Sequence, residues 1–195
     1  MNLRKTKNNI FVILSTCILV LFIACDEPYP RPNGYLRIEI PEQNYEEVEF
    51  CFFKTQISSS AKLIPVVKNN TECWFNLNYN KFKADVHFTY LPVEDNFSDL
   101  VDHAHRLKDR HNTVASYIPE TKYENKDHNV GGLLFEIQGK KAASPINFFL
   151  TDSVDHFVIG SLYFNHSPNN DSIQPVIEHI KEDLIHLIEN WEWIN

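Results

Sequence analysis

Three residue types that hydrolases combine lie within one short stretch of the chain. Asp152, Ser153 and His156 supply a carboxylate, a hydroxyl and an imidazole. A serine nucleophile normally sits on a tight elbow, however, and its base comes from elsewhere in the chain. No GxSxG pattern surrounds Ser153, and side chains this close in a polar stretch more often cap a turn. The sequence therefore favours a turn and predicts no catalytic residue, with a hydrolase as the alternative.

The nine histidines raise the question of a metal site. His179, Asp183 and His186 follow one another at helical spacing, so a helix would place them on one face. No second group of ligands completes such a site, and the spacing is more typical of a solvated helix face. His111 falls on an apolar stripe, where a hydrogen-bonded core histidine is expected. The sequence predicts neither a metal nor a cofactor, and it lacks the Walker A, GxGxxG and HExxH motifs.

The four cysteines have different expected fates. Cys17 lies inside an apolar run, and Cys25 directly follows that run. Cys51 and Cys73 are left for the folded domain, and in an oxidising compartment they could pair. Closing a loop of about 22 residues would contribute ~3 kcal/mol in the chain-entropy model, provided that the two Cα atoms lie within ~7 Å. Two separately buried thiols are the alternative.

The N-terminal residues read as an export signal followed by a tether. Residues 1–24 combine a basic start with an apolar run that is shorter than the ~20 residues needed to cross a bilayer. The run ends in LFIAC, which resembles a bacterial lipobox and makes Cys25 the expected site of lipid attachment. An uncleaved anchor and a plain signal peptide are the alternatives. Residues 25–34 contain alternating prolines and predict an extended tether, so one folded domain is expected over 35–195.

The charge balance excludes some partners. The chain has a formal net charge of −8 at pH 7, whereas a nucleic-acid-binding protein needs a clustered basic face. Adhesion to an anionic bilayer by charge alone is excluded for the same reason. The expected membrane contact is therefore the lipid on Cys25.

Two amphipathic helices and a series of strands must position the residues named above. Apolar residues recur at spacings of three and four from Phe97 to about Ser116, and again from Ile173 to Trp191, where Asp171 or Ser172 is the expected cap. The strand candidates are 35–40, 45–53, 72–77, 83–93, 117–123, 130–138, 145–151 and 156–164, with 56–67 expected to be irregular. Short polar connectors between the last four predict an antiparallel meander. The predicted class is α+β: an antiparallel sheet of about six to eight strands with two long helices packed on it as a sandwich.

Aromatic residues are concentrated in the last predicted strands. They are Phe148, Phe149, Phe157, Tyr163 and Phe164. Both a core with cross-strand pairs and an exposed aromatic docking face fit this pattern. The Gly131–Gly132 pair indicates either a bulge or a close backbone approach. Asp152, Asp155 and Asp171 flank these strands at predicted sheet ends, so they are the expected partner contacts, with capping of turns and a helix as their alternative role.

Four stretches of the sequence resemble the gliding-motility lipoprotein GldD family of Bacteroidota. They are PRPNGYLRIEIP (30–41), ECWFNLNY (72–79), LVDHAHRL (100–107) and AASPINFFLTDSVDHFVIGSLYFNHSPNNDSIQPV (142–176). The resemblance extends from Cys25 to Trp193, and Cys25, Cys51 and Cys73 fall where the family pattern has cysteines. It implies an envelope lipoprotein needed for gliding and for the type IX secretion machinery linked to it, without assigned catalytic residues. The element order is also similar to the PsbP/Mog1 sandwich, as a topological analogy.

Together these observations predict a non-catalytic, lipid-anchored interaction module that faces the periplasm, on either the inner or the outer membrane. Its expected partners are the membrane, through the lipid, and other envelope proteins of gliding and type IX secretion. An envelope hydrolase and a small-ligand-binding module are the alternative classes.

Overall fold

The computed structural model of this protein describes residues 38–68, 73–166 and 169–194. The expected signal peptide, the tether and Cys25 lie outside these ranges, as do the first residues of the strand expected at 35–40. Residues 38–40 are described and have no strand structure, because no described strand pairs with them. That part of the strand prediction is wrong.

Ten strands and two α-helices make up most of the described chain. In chain order the strands are β1 (Tyr45–Phe50), β2 (Phe53–Ser58), β3 (Lys62–Lys68), β4 (Cys73–Tyr79), β5 (Ala84–Pro92), β6 (Glu120–Asn125), β7 (Val130–Glu136), β8 (Ile146–Thr151), β9 (His156–Phe164) and β10 (Glu192–Trp193). The helices are α1 (Phe97–Asp109) and α2 (Asn170–Glu189), and a 3₁₀ turn (Asn80–Phe82) joins β4 to β5. Neither of these α-helices is long and apolar enough to cross a membrane.

Seven strands form one antiparallel sheet in the order β3-β4-β5-β9-β8-β7-β6, and β1-β2-β10 form a smaller sheet. Strands β6 to β9 pair in succession, so the predicted meander is confirmed. β6 begins at Glu120 rather than Tyr117, which makes only an isolated bridge to Gln138. β9 also pairs with β5, from Ala84 opposite Phe164 onward, and thereby joins the two halves of the sheet. The predicted α+β class, with helices packed on an antiparallel sheet, is confirmed.

The inner face of the large sheet is covered by α2 and by the small sheet. Buried side chains of these elements form one core. Within it, Trp191 stacks on Phe53 with ring centroids 4.1 Å apart, and Phe53 stacks on Phe75 at 5.1 Å. Phe75 in turn stacks on Phe88 at 4.4 Å. This series of rings connects the end of α2, through the small sheet, to β4 and β5.

The outer face of the large sheet is only partly covered. A second core packs α1 on the outward side chains of β7, β8 and β9, with Phe135, Phe149 and Phe157 at its centre. The described residues place no helix over the outward side of β3, β4 and β5. We call this surface the open face; its residues include Lys62, Ile64, Trp74, Asn76, Asn78, Asp85, His87, Thr89, Ser161 and Tyr163.

A disulfide ties the two sheets together. Cys51 lies in the turn between β1 and β2 and is bonded to Cys73, the first residue of β4, with Cα atoms 6.4 Å apart. This distance is within the ~7 Å that a bridge permits, and the structure has the bridge rather than two separate thiols. The bond holds the small sheet against the inner side of β4.

The segment before β4 was the least accurately predicted part of the fold. The single strand expected over 45–53 is the hairpin β1–β2, and the irregular segment expected over 56–67 contains the end of β2 and most of β3. Cys51 makes the hairpin turn with a left-handed φ of 53°, a conformation that Gly or Asn normally signals. β3 contains Pro65 and a register shift between Pro65 and Val67, which obscure its strand pattern.

Helix α1 is shorter than its apolar pattern predicted. It ends at Asp109 rather than near Ser116. The residues after it continue as tight turns, in which His111 donates its N–H to the Lys108 carbonyl at 3.0 Å and Val114 donates to the His111 carbonyl at 2.9 Å. Successive turns preserve a spacing close to that of a helix, so periodicity alone did not reveal the helix end.

Gly132 allows two strand backbones to approach closely. A Cβ atom at this position would lie 2.2 Å from the carbonyl oxygen of Phe149 on β8. The register between β7 and β8 runs without interruption from Gly131 opposite Thr151 onward. Of the two readings of the glycine pair, the close approach is therefore the one observed.

Candidate functional site

The hydrolase-like residues form a capped turn between β8 and β9. Oδ1 of Asp152 accepts the N–H groups of Val154 and Asp155 at 3.0 Å each and that of His156 at 2.8 Å. Burial would raise the pKa of Asp152, but these N–H bonds outweigh burial and hold the pKa below its usual value. The carboxylate therefore stabilises the turn in its charged form.

His156 and Ser153 have different surroundings from each other. Nδ1 of His156 lies 2.9 Å from the Tyr90 hydroxyl, and the buried ring stacks on Trp193 at 4.9 Å. Ser153 is exposed and has a left-handed φ of 67°. The three residues are close in the sequence, but no hydrogen bond joins their side chains to one another.

The three expected partner-contact aspartates do not form one surface. Asp152 and Asp155 share the turn at the end of β8, whereas Asp171 lies in the first turn of α2, near the start of β8. Asp155 and Asp171 are both exposed. Asp171 is 3.9 Å from Lys140 Nζ, and its charge suits the positive end of the helix. The helix cap is Asn169 rather than Asp171 or Ser172.

A cavity of about 370 Å³ lies beside Asp171. Its polar lining includes Glu136, Gln138, Lys140, Asn170, Gln174 and Glu178. Nδ2 of Asn170 donates to the carbonyls of Gly139 and Ala142 at 2.8 and 3.0 Å. This side chain therefore fixes the start of α2, and its amide donor is not directed at a ligand.

The expected solvated face of α2 is buried, so that prediction is wrong. His179 and Asp183 are only 5% and 2% exposed, and His179 Nε2 lies 3.8 Å from Asp183 Oδ2. His186 instead stacks on Tyr45 at 3.6 Å and bonds Gln56 at 2.8 Å. The small sheet packs on this side of α2, and helical spacing cannot reveal such a cover. No group of three or more His, Cys, Asp or Glu side chains in the described residues is arranged to hold a metal ion.

Burial dominates the electrostatics of this cluster. It raises the pKa of Asp183, although Ser58, His179 and nearby tyrosine hydroxyls partly oppose the rise. The Asp183 carboxylate has no hydrogen bond of good geometry. Burial, together with the charge of Asp183, raises the pKa of Tyr45 to about 12. The cluster is therefore a buried polar group with incompletely satisfied atoms, which is uncommon in folded proteins.

The aromatic residues of β8 and β9 are divided between core and surface. Phe148, Phe149 and Phe157 are buried, and the last two stack with centroids 5.1 Å apart. Tyr163 is 39% exposed. The prediction of a core role is therefore confirmed for the three buried phenylalanines, and Tyr163 belongs to the open face.

The open face presents aromatic rings among amides and hydroxyls. Trp74 on β4 is 38% exposed, and His87 on β5 is also exposed. Asn76 and His87 are register partners, and Asn76 Oδ1 lies 2.7 Å from His87 Nδ1. The ring of Tyr163 lies 5.4 Å from that of His87. Aromatic and amide side chains held in place on a sheet that no described helix covers form a surface suited to contact with another molecule.

Sequence reasoning missed this surface, although a signal was present. In CWFNLNY, buried residues alternate with Trp74, Asn76 and Asn78; in β5 they alternate with Asp85, His87 and Thr89. Outward positions that hold an aromatic residue and amides differ from the charged positions of an ordinary solvated strand. The alternation predicts the strand, and the residue types that face outward carry the further signal.

The described residues define a disulfide-bonded α+β domain with one open sheet face and one capped, exposed turn. Residues 25–193 match the family model described as gliding motility lipoprotein GldD. The chain belongs to this family, and the resemblance stated from the sequence is confirmed. A comparison with curated proteins finds no match. The family description is that of a gliding-motility lipoprotein, which fits a lipid-anchored protein of the cell envelope.

Proposed function

We propose that this protein is a lipid-anchored, non-catalytic assembly component of the gliding machinery and of the type IX secretion apparatus linked to it. The observation that carries the proposal is the extent of the family match, which begins at Cys25. Cys25 is also the last residue of the lipobox-like LFIAC sequence. A match that starts at this cysteine supports a mature protein whose first residue carries the lipid, on the periplasmic side of a membrane.

The turn between β8 and β9 supports an interaction role over hydrolysis. Asp152 uses its carboxylate to bind backbone N–H groups, and His156 binds Tyr90. Exposed turns held by such bonds at the end of a sheet are common places for partner contact. We assign contact with other envelope proteins to Asp152 and Asp155 in this turn, and to Asp171 as a separate contact.

The anchor is tested by the substitution Cys25→Ser. We expect it to block acylation and to leave the precursor uncleaved. Mass spectrometry of the wild-type protein should find an acylated Cys25 as its first residue. An unmodified cysteine at that position would contradict the anchor.

The contact residues are tested by charge reversal. Asp155→Lys should impair spreading and secretion without lowering the melting temperature, whereas Asp171→Lys should impair both and also lower the melting temperature slightly, because it places a positive charge at the start of α2. Asp127→Lys, at another exposed acid in the β6–β7 turn, is the matched control and should leave both assays normal. If the two variants behave like this control, the assigned contacts are wrong.

The hydrolase alternative is tested at its nucleophile. Ser153→Ala should preserve spreading and secretion, because an interaction module does not need this hydroxyl. Loss of both functions in a variant with an unchanged melting temperature would favour the hydrolase.

A further inference from the structure

The open face contains three aromatic rings along one diagonal. Trp74 is the register partner of Thr89, and His87 is two residues from Thr89 on the same strand. Trp74 and His87 are therefore diagonal neighbours at ~7–8 Å. His87 is in turn opposite Ser161, two residues from Tyr163. The rings of Trp74, His87 and Tyr163 thus cross three neighbouring strands, β4, β5 and β9, in order.

Hydrogen-bonding groups line one side of this diagonal. Asn78 Nδ2 donates to Asp85 Oδ1 at 2.7 Å, and Asn165 Nδ2 donates to the other oxygen of the same carboxylate at 2.8 Å. Asn76 is held by His87 at 2.7 Å. These amides are fixed by their neighbours, so binding a ligand would cost little of their conformational entropy.

The open face carries little charge of its own. The chain has a net charge of −8, yet the carboxylate of Asp85 on this face is held by two amides. Lys62 also belongs to this face, opposite Asn78 on the edge strand β3, so the described residues of the face include one aspartate and one lysine. A surface of this kind complements a ligand without a strong charge, because neither sign would meet an opposite field.

The edge strand beside the face discourages pairing with a strand of another protein. β3 has a proline, Pro65, and a register shift between Pro65 and Val67. Both features are devices that prevent strand addition at a sheet edge. The ligand is therefore expected to lie across the face rather than to extend the sheet.

We propose that the open face binds a weakly charged glycan chain, with sugar rings stacked along Trp74, His87 and Tyr163. A pyranose ring has an apolar C–H side that packs on an aromatic ring and hydroxyls that bond amides and carboxylates. The open face supplies these two kinds of contact side by side, along a diagonal of rings that suits an extended chain. This ligand goes beyond the proposed contacts at Asp152, Asp155 and Asp171, which lie elsewhere.

The proposal is tested with the mature lipoprotein in detergent. Chitotetraose, cellotetraose and maltotetraose are the probes, and saturation-transfer NMR and calorimetry measure their binding. At least one probe should bind, and Trp74→Ala and Tyr163→Ala should each weaken it about tenfold or more. Tyr117→Ala removes a ring that is 64% exposed outside the open face and should leave the affinity unchanged. Trp74→Phe, which retains a ring, should bind more tightly than Trp74→Ala.

Three outcomes would overturn the proposal. One is that none of the three tetrasaccharides binds at millimolar concentration. Another is binding that both Trp74→Ala and Tyr163→Ala leave unchanged while their melting temperatures match the wild type. The third is a photo-crosslinker at Thr89 that captures a protein in the native envelope and is not displaced by the sugars, because the face would then bind a protein. Variants in Asp155 and Asp171 distinguish this test from that of the proposed function, since they should not alter sugar binding.

Discussion

The two halves of the outer sheet face differ in which of their side chains are buried. Under α1, the outward residues of β8 and β9 include Phe149, Phe157 and Ile159, and all three are buried. On the open half, the outward residues of β4 and β5 include Trp74, Asn76 and His87. Buried and more exposed side chains alternate in β4 and β5, whereas β8 is buried at every position. The apolar outward residues of the covered half require a helix above them, and the outward residues of the open half do not.

The largest expected contrast between the halves is in core packing. Phe149→Ala on the covered half should lower the free energy of unfolding by about 3–5 kcal/mol, because it removes a buried ring and leaves a cavity. Trp74→Ala on the open half should cost less than about 1 kcal/mol, as expected for a partly exposed site. Urea denaturation of both variants gives the comparison. Equal losses would mean that the open half is as tightly packed as the covered half.

The second prediction concerns the disulfide on the inner side of the open half. Cys51→Ser combined with Cys73→Ser should lower the unfolding free energy by about 2–4 kcal/mol. Because the bond joins the β1–β2 turn to β4, hydrogen exchange should accelerate in β1, β2 and β4 before it does so in β7 and β8. Uniform acceleration across both halves would contradict a local role for the bond.

The third prediction uses pH to examine the buried cluster around His179 and Asp183, which lies under β4. Burial raises the pKa of Asp183 in the folded state, so the folded protein favours the protonated acid. This stabilising contribution is complete below the unfolded pKa and is lost as the pH rises through the raised folded value. Asp183→Asn should therefore become more stable than the wild type as the pH rises, and melts from pH 4 to 8 measure the difference. A difference that does not change with pH would contradict this assignment.

The smallest expected effect is at the turn of the covered half. Asp152→Ala should cost about 1 kcal/mol, because it removes the acceptor of three N–H bonds. The pKa of Asp152 is held low, so its contribution is present above the unfolded pKa and is lost as the pH falls through the folded value. Asp155→Ala is the matched control and should be nearly neutral in thermal melts. A loss with Asp155→Ala as large as that with Asp152→Ala would show that the cap is not the cause.

The elements that could be predicted from the sequence are those whose pattern is complete within one segment. The strand at 156–164 agrees with β9, and α2 covers the predicted second helix, because each carries an uninterrupted apolar periodicity. The hairpin at Cys51 was missed because its left-handed turn is adopted by a residue that rarely takes it. The cap of α2 is Asn169 rather than Asp171 or Ser172, because several polar residues precede that helix and any of them satisfies the pattern.

The candidate site was less predictable, since it depends on what packs against each face. The spacing of His179 and Asp183 placed them correctly on one side of α2, but the small sheet that buries them is built from residues far away in the chain. The open face exists because α1 lies over β7, β8 and β9 and not over β4 and β5. Which element covers which face depends on tertiary packing, and local propensities do not encode it.

The position of β9 has a consequence for how the chain folds. This strand lies between β5 and β8, so the sheet becomes continuous only when β9 pairs with β5. Until β9 has left the ribosome, β5 can pair with β4 on one side only, and the meander can begin to form only from β6 onward. Pairings between distant segments slow folding, because the loop must close before the contacts stabilise it. The joining of the two halves is therefore expected to be a late step, and most of the chain can be synthesised before the sheet is complete.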